Sequence, residues 1–400
     1  MKLRHLVVRS AAAALALALL PIGGFRIAPA AAATKAPVNV GLIYSKTGLL
    51  GVYGNEYYDG FVAGLDFATH GTSMAGGHKI VVSDHDDAGD PAKAVAAAKD
   101  LIGQGVKILA GSTASGVALQ VAPLAKENNV LFISGAAAAD GITGNNRNTF
   151  RSGRQSYQDV LTAGVIAGNS LRGKHVLVFA QDSAFGQANV AAVRIVLGSA
   201  GADVNGLLAP LSANDFTPFA QKIKDAKPDL VFLAWAGTTG PAMFKSLDDA
   251  GVFAVTKAVT GLDQRASFPV YAPMAARLQF LSHYFAGATH NSENLALTAA
   301  LKKSGKQPEI FNNDGFVAAQ MVVHAIEKAD GDDVPKMISA LEGWSFEGPK
   351  GKQTVRAIDH AMIQPMFIVK LTGAGSALEP QLIRTVPENA LTPPVRPFKQ

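Results

Sequence analysis

The sequence has no cysteine at any of its 400 positions. Disulfide bonds, thiolate metal sites and cysteine nucleophiles are therefore excluded together. A lipid anchor attached through an N-terminal cysteine is excluded for the same reason, and we expect a protein without one. Secreted proteins of single-membrane cells commonly need such an anchor to stay at the cell. The absence therefore favours a periplasm enclosed by an outer membrane.

The sequence also lacks a clear membrane-spanning segment near its start. The apolar run at residues 10–20 stops at Pro21, short of the roughly 20 residues that a spanning helix needs. Basic residues precede this run and an alanine-rich stretch at 28–33 follows it. This order is typical of a secretory signal peptide at residues 1–33, cleaved between Ala30 and Ala33. A membrane span over residues 6–22 is the alternative interpretation.

Excess charge is small once the predicted signal peptide is set aside. The whole chain has 36 basic and 31 acidic residues. Four of the basic residues lie in the signal segment, which leaves 32 basic against 31 acidic. A near-neutral chain gives no support for nucleic acid or an anionic membrane as a partner. The remaining length exceeds the size of most single cores, so we expect two domains.

Short β-rich apolar runs alternate with helix-period stretches along the chain, which indicates α/β units with parallel sheets. The predicted strands are 38–44, 79–85, 106–110, 130–134, 175–180, 201–208, 229–235 and 257–262. The predicted helices are 56–69, 91–104, 115–128, 185–199, 216–226, 239–250, 292–303, 315–329 and 334–341. Residues 353–358 and 365–371 are predicted to form a closing pair of strands.

Sequence patterns for catalysis are incomplete. An acidic cluster of Asp84, Asp86, Asp87 and Asp90 suggests a metal or a catalytic carboxylate pair, but Asp90-Pro91 is a helix-start signal. Capping and loop roles are therefore favoured over a metal site. The serine-containing stretch at 111–116 lacks the G-x-S-x-G spacing, and neither H-E-x-x-H nor a strand followed by G-x-G-x-x-G occurs. We predict no enzyme, no cofactor and no metal.

Two small-residue loops are candidate binding segments. Residues 111–115 follow one predicted strand and open a helix, and residues 134–138 follow the next strand. In an open α/β sheet such loops meet at the carboxyl ends of the strands, where helix N-termini attract anions. Their small side chains would let a carboxylate approach the backbone. The alternative interpretation is that both are simply tight connections.

An ordered set of motifs spans the chain beyond residue 33. Its members are Gly41-x-x-x-Ser45-x-Thr47-Gly48, Tyr53-Gly54, Asp86-Asp87, Asp90-Pro91, Gly111-x-x-x-Ser115, Pro123, Ile133-Ser134, Phe150-Arg151, Asp182 with Phe185-Gly186, Asp215-Phe216, Phe346-x-Gly348-Pro349-x-Gly351 and Asp359-His360. In this order and spacing the chain resembles the periplasmic leucine/isoleucine/valine-binding protein family of ABC importers.

The resemblance implies a type I periplasmic binding fold: two Rossmann-like α/β lobes with parallel central sheets, joined by a three-strand hinge. The N-terminal lobe would comprise residues 37–155 and 286–348. The C-terminal lobe would comprise residues 156–285 and 349–400. A small solute would bind between the two lobes.

The resemblance also implies roles for site residues. Ala114, Ser115 and the loop Ala136, Ala137 and Ala138 would hold a ligand's carboxylate and amine. Tyr53 and Phe185 would pack over the ligand. Asp263, where relatives have glutamate, would pair with an amine or accept from a hydroxyl. Amino-acid binders have threonine where this chain has Ala138, and tyrosine near Ala236 where this chain has Trp235 one position earlier, so the ligand class stays open among amino acids, amides and aromatic acids.

The resulting hypothesis is a non-enzymatic, monomeric periplasmic protein that delivers a small organic solute to an ABC permease in the inner membrane. A sensory binding protein that reports a solute to a receptor or regulator is the second interpretation. An extracytoplasmic hydrolase is the third, and it lacks a complete set of nucleophile, base and orienting acid.

Overall fold

The computed structural model of the protein describes residues 35–168 and 171–398. The predicted signal peptide at residues 1–33 lies outside these ranges, as does the alternative membrane span at 6–22. Within the described residues, every helix is too short or too polar to cross a membrane.

The first sheet has six strands in the order β2-β3-β1-β4-β5-β6. All neighbours are parallel except the short hairpin of β2 and β3. We call the layers around this sheet the first lobe. Its strands are β1 Lys35–Tyr44, β2 Met74–Ala75, β3 His78–Asp86, β4 Ile108–Gly111, β5 Leu131–Ser134 and β6 Thr149–Arg151.

The second sheet has seven strands in the order β16-β15-β11-β10-β9-β7-β8. Strands β7 to β11 pair in parallel, and β15 and β16 add an antiparallel edge. We call the layers around it the second lobe. Its strands are β7 His175–Gln181, β8 Asp203–Ala209, β9 Leu230–Ala234, β10 Lys257–Gly261, β11 Leu278–Ser282, β15 Met366–Thr372 and β16 Glu379–Val386.

A small third sheet is antiparallel and contains β12 Ser345–Gly348, β13 Gly351–Val355 and β14 Met362–Ile363. The chain passes between the lobes three times: after β6, after β11 and in the region of the third sheet, before β15. This connectivity and the two mainly parallel sheets confirm the predicted fold class.

Helices cover both faces of each large sheet. They are α1 Gly51–Ala68, α2 Pro91–Gly103, α3 Ser115–Glu127, α4 Ser156–Ala167, α5 Ala184–Ser199, α6 Thr217–Ala226, α7 Gly240–Asp249, α8 Val252–Val255, α9 Phe268–Tyr271, α10 Ser292–Lys303, α11 Asn312–Ala329 and α12 Val334–Leu341. Single turns of 3₁₀ helix occupy Arg265–Ser267, Gly375–Ala377 and Glu388–Leu391.

Each large sheet has a hydrophobic cluster on each of its two faces, because successive side chains along a buried strand point to opposite faces. In β7, Val176 and Val178 contact an apolar cluster on the α4 and α5 side, whereas Leu177 and Phe179 contact the cluster of α6 and α7 on the other face. The first sheet is covered in the same way by α1 and α11 on one face and by α2 and α3 on the other. Two-sided burial explains why these strands are continuous apolar runs.

The predicted helices and most predicted strands are confirmed within a few residues. Helix α1 begins at Gly51 instead of residue 56, because its glycine-rich first turn resembles a loop in sequence. The predicted pairing of two closing strands is wrong. Strand β13 belongs to the third sheet, whereas β15 pairs with β11 and β16 in the second. The sequence patterns did not predict α4, α8, α9, β2, β6, β11, β12, β14 and β16.

Candidate ligand-binding site

A cavity of about 620 Å³ lies between the two lobes at the carboxyl ends of their parallel strands. Loops that follow β1, β4 and β5 line it from the first lobe, and loops that follow β7, β9 and β10 line it from the second. This is where an open α/β sheet places its ligands. The volume falls within the range of small-molecule sites.

The N-terminus of α3 forms one polar end of this cavity. Its N-cap residue is Ala114, which has no side chain able to cap the helix. The first-turn amides of Ser115 and Gly116 have no intrahelical partner, and both residues line the cavity. Ser112 precedes them at φ 76°, a left-handed conformation that turns the chain from β4 into α3. The uncapped turn offers N–H donors and a positive dipole end to an anion.

The loop after β5 lies against this helix start. The Ser115 hydroxyl oxygen accepts a hydrogen bond from the Ala139 amide at 3.1 Å, so the hydroxyl proton remains available as a donor. Ala136 and Ala138 line the cavity, whereas Ala137 is buried behind it and its amide bonds the Ser112 carbonyl at 3.3 Å. The two predicted loops therefore meet, as expected for neighbouring strands β4 and β5.

Arg154 lines the cavity beside the loop, and the sequence analysis did not identify it. Its Nη1 donates to the Ala136 carbonyl at 3.1 Å, and its Nε lies 3.3 Å from the Asp159 carboxylate. Its guanidinium carbon lies 5.9 Å from the centre of the Phe185 ring and 5.6 Å from that of Phe311. A largely buried cation thus adjoins the α3 N-terminus.

Asp263, just after β10, forms a polar site on the second-lobe side. Its Oδ1 accepts from the Tyr53 hydroxyl and its Oδ2 from the Ser267 hydroxyl, both at 2.7 Å. The Tyr53 oxygen in turn accepts from the Gly237 amide at 3.1 Å. Burial and the neighbouring Asp263 raise the pKa of Tyr53 well above its ordinary value, so Tyr53 stays a neutral donor.

Aromatic rings form the walls of the cavity. Phe185 stands in the first turn of α5, which Ser183 caps by accepting from the Gly186 amide at 3.1 Å. Trp235 follows β9, and its indole N–H donates to the Thr239 hydroxyl at 3.0 Å. Phe311 contacts Tyr53 with ring centres 4.7 Å apart. Flat apolar walls of this kind suit an aromatic or branched ligand body.

Five ionisable side chains meet where the chain crosses between the lobes, and we call them the interlobe ionic cluster: Arg154, Asp159, His283, Asp314 and Lys350. Burial lowers the pKa of Lys350 to about 7, against the effect of Asp314, and burial raises the pKa of Asp314 to about 6. Burial also holds the pKa of His283 well below its ordinary value, so this ring is neutral. Three members, Arg154, Asp159 and His283, line the cavity.

The acidic cluster of the sequence analysis has the predicted capping and loop roles. Asp90 caps α2 by accepting from the Ala92 amide at 2.7 Å. Asp87 accepts from the Ser45 hydroxyl at 2.6 Å and Asp86 from the Thr47 hydroxyl at 2.6 Å. Within residues 35–168 and 171–398, no group of three or more His, Asp or Glu side chains is placed to hold a metal ion.

The structure brings eight of the nine predicted site residues to one cavity. They are Tyr53, Ala114, Ser115, Ala136, Ala138, Phe185, Trp235 and Asp263. Sequence reasoning missed Arg154, His283, Tyr271 and Phe311, which also line it. One sequence feature could have identified Arg154 as a site residue: it lies three residues beyond the end of β6, at the same edge of the sheet as the two small-residue loops. That strand was missed because it has only three residues.

A family model described as "Periplasmic binding protein" matches residues 37–376. Among curated proteins, the chain is 26% identical over 306 residues to Leu/Ile/Val-binding protein homolog 3 of Brucella melitensis, covering 76% of this chain and 82% of that protein.

Two solved structures are similar over nearly the whole described chain. One is an ABC-type branched-chain amino acid transporter protein from Rhodopseudomonas palustris, with 31% identity, a TM-score of 0.74 and coverage of 90% of this chain and 100% of that chain. The other is a solute-binding protein of an ABC transporter from Rhodopseudomonas palustris BisB5 in complex with 3,4-dihydroxybenzoic acid. It has 25% identity, a TM-score of 0.77 and coverage of 88% and 98%.

Proposed function

The chain belongs to the periplasmic binding protein family, and from this premise we propose that its interlobe cavity binds a small organic carboxylate. The protein is an extracytoplasmic solute-binding protein of an ABC transporter, with a small-molecule ligand and a permease as partners. Members of this family bind solutes and do not convert them. The carboxylate proposal depends chiefly on one observation, the uncapped N-terminus of α3 that opens into the cavity.

Several donors at this end of the cavity support a carboxylate. The first-turn amides of α3 and the Ser115 hydroxyl proton are free to donate, and Arg154 adds a positive charge nearby. Hydrogen bonds to an ionised acceptor are roughly twice as strong as those between neutral groups. The ligand's body would then lie among Phe185, Trp235 and Phe311, with Asp263 as an acceptor on the second-lobe side.

Binding between the lobes would favour the arrangement in which they are closed over the ligand, and the permease would respond to that arrangement. We propose lobe boundaries at residues 37–155 with 286–348 and at 156–285 with 349–400. What supports this division is that strands β1 to β6 all fall in the first set, and all seven strands of the second sheet fall in the other. We further propose a monomer secreted to the periplasm after cleavage between Ala30 and Ala33.

A ligand screen on the purified chain without residues 1–33 tests the proposed function. Thermal shift against carboxylates, amides and amines should yield carboxylate hits, because a ligand at 100 times its Kd adds about 2.7 kcal/mol of stability. Isothermal titration should give one site per chain. Mass spectrometry of the incubated ligand should show no product. Hits limited to solutes without a carboxylate would contradict the proposal.

A further inference from the structure

The acceptors around the proposed carboxylate site are already occupied, whereas its donors are free. We propose that the ligand is a carboxylic acid without an α-ammonium group, such as an aromatic or branched-chain acid. This inference rests on the proposed carboxylate site and narrows its ligand class. An α-amino acid would bring three N–H donors next to its carboxylate, and each of them needs an acceptor when buried.

The carbonyl groups of the loop after β5 have little capacity left. The Ala138 carbonyl accepts from the Ser156 amide at 2.8 Å and from the Ser156 hydroxyl at 3.2 Å, which uses both lone pairs. The Ala136 carbonyl accepts from Arg154. The Ser115 oxygen accepts from the Ala139 amide. These three groups border the proposed carboxylate position, and an ammonium beside them would find few acceptors.

The charge next to this loop also opposes an ammonium. Arg154 is bound to the Ala136 carbonyl and its side chain is only 11% exposed. A second cation at the same loop would be repelled strongly in a partly buried site. Asp159 is a carboxylate that lines the cavity on this side, and it is already paired with Arg154 at 3.3 Å. The local charge is therefore arranged for an anion.

Asp263 has only limited capacity for an amine. An ionised carboxylate offers about four lone-pair positions. The hydroxyl groups of Tyr53 and Ser267 occupy two of them, one on each oxygen. The remaining position on each oxygen suits a neutral donor, such as a hydroxyl group on the ligand body. An ammonium placed there would find acceptors for at most two of its three N–H groups and would leave the third buried without a partner.

Matched ligand pairs test this inference directly. Isothermal titration would compare L-phenylalanine with 3-phenylpropanoate and L-leucine with 4-methylpentanoate, which differ only in the α-ammonium group. We expect each deamino acid to bind at least about tenfold more tightly, because unpaired N–H donors are costly when buried. An amino acid that binds as tightly as its deamino partner would overturn the inference. Binding of no carboxylate at all would instead overturn the proposed function.

The variant Tyr53→Phe tests whether Asp263 contributes to the preference for deamino acids over amino acids. Tyr53→Phe keeps the ring but returns one lone pair to Asp263, so the ratio of the two dissociation constants should move at least about threefold toward the amino acid. Tyr58→Phe is the matched control on the same helix, since Tyr58 stacks on Tyr44 instead of lining the cavity. An unchanged ratio in Tyr53→Phe would overturn the role given to Asp263.

Discussion

Ser115 has a structural role at the start of α3 and a proposed role in ligand recognition. It begins α3, its hydroxyl oxygen holds the Ala139 amide of the neighbouring loop, and it lines the cavity. Its hydroxyl proton is a side-chain donor at this helix start. The same hydroxyl group thus fixes the loop through its oxygen and, in the proposed function, contacts the ligand through its proton.

Replacing this serine tests the head-group position. Ser115→Ala should weaken binding of a carboxylate by about 1.5–3 kcal/mol, or roughly 10- to 150-fold in Kd, the range for a hydrogen bond to a charged group. Titration calorimetry would measure it. Ser212→Ala is the control, because Ser212 lines the same cavity but is exposed. Equal affinities of wild type and Ser115→Ala would place the carboxylate elsewhere.

The packing of α1 against α11 positions two cavity residues. Tyr53 lies in the first turn of α1, and Phe311 immediately precedes α11. Glycines allow the two helices to approach closely. A Cβ added at Gly60 would lie 1.9 Å from the Asn312 carbonyl oxygen, and one at Gly315 would lie 1.9 Å from the Tyr57 carbonyl oxygen. Helix contact at this distance is possible only without side chains.

Gly60→Ala should therefore force the helices apart and destabilise the protein. Overpacking a tight contact costs about 1–3 kcal/mol, and backbone cannot move aside as a side chain can. Denaturant unfolding would measure the change in free energy. Gly103→Ala is the control, since its Cβ would meet nothing within 4 Å and alanine favours a helix by up to ~1 kcal/mol. Equal stability of the two variants would contradict the close-packing argument.

At the scale of the whole molecule, backbone and side-chain bonds join the lobes across the cavity. The Tyr53 hydroxyl of the first lobe bridges the Gly237 amide and the Asp263 carboxylate of the second. The Thr238 amide donates to the Leu49 carbonyl at 3.2 Å, and the Arg265 amide lies 3.1 Å from the Glu309 carboxylate. These bonds require the lobes to be together.

Loss of the Tyr53 hydroxyl should weaken every ligand by favouring separated lobes. Tyr53→Phe removes two hydrogen bonds, each worth about 0.5–1.5 kcal/mol, so the deamino acids should bind about 5- to 150-fold more weakly. Small-angle scattering with saturating ligand should then show a compact molecule in both proteins, and a larger one for the variant at a subsaturating concentration. Wild-type affinity in Tyr53→Phe would exclude this hydroxyl from closure.

The interlobe ionic cluster predicts a pH dependence of stability. Because the pKa of Lys350 is lowered to about 7 in the folded protein, the unfolded chain binds more protons between that value and the ordinary 10.5. Stability contributed through Lys350 should therefore rise with pH from about 7. Asp314 has the opposite effect at lower pH. Because its pKa is raised from 3.8 to about 6 in the folded protein, the stability contributed through Asp314 should fall as pH rises through this range. Arg154, Asp159 and His283 face both groups.

A variant of Lys350 tests this dependence. Lys350→Met should lack the rise in unfolding free energy that wild type shows between pH 7 and 9, because the side chain that takes up a proton on unfolding in this range is gone. The double variant with Asp314→Asn should lack this rise as well, and it should also lose the fall in stability between pH 3.8 and about 6. Lys245→Met, in an exposed pair with Asp249, is the control and should change little. A wild-type pH profile in the double variant would contradict the assignment.

Local signals in the sequence were sufficient for most elements. Asp90-Pro91 predicted the start of α2, and apolar periodicity predicted α5, α7 and α10 within two residues. These local signals failed where the structure of a segment depends on which distant strand it pairs with. The two tail segments were predicted as a closing pair of strands, but β13 joins the third sheet and β15 pairs with β11 at the edge of the second sheet.

The sequence by itself determined the α/β plan and the proximity of Ser115 to the loop at 136–138, because both follow adjacent parallel strands. Tertiary structure alone decided the rest. Asp263 meets Tyr53 across 210 positions, and Arg154 reaches the cavity only through the fold around β6. The physical reason is range: caps and periodicity act within a few residues, whereas charge pairing and ring contacts depend on which distant segments the closed core brings together.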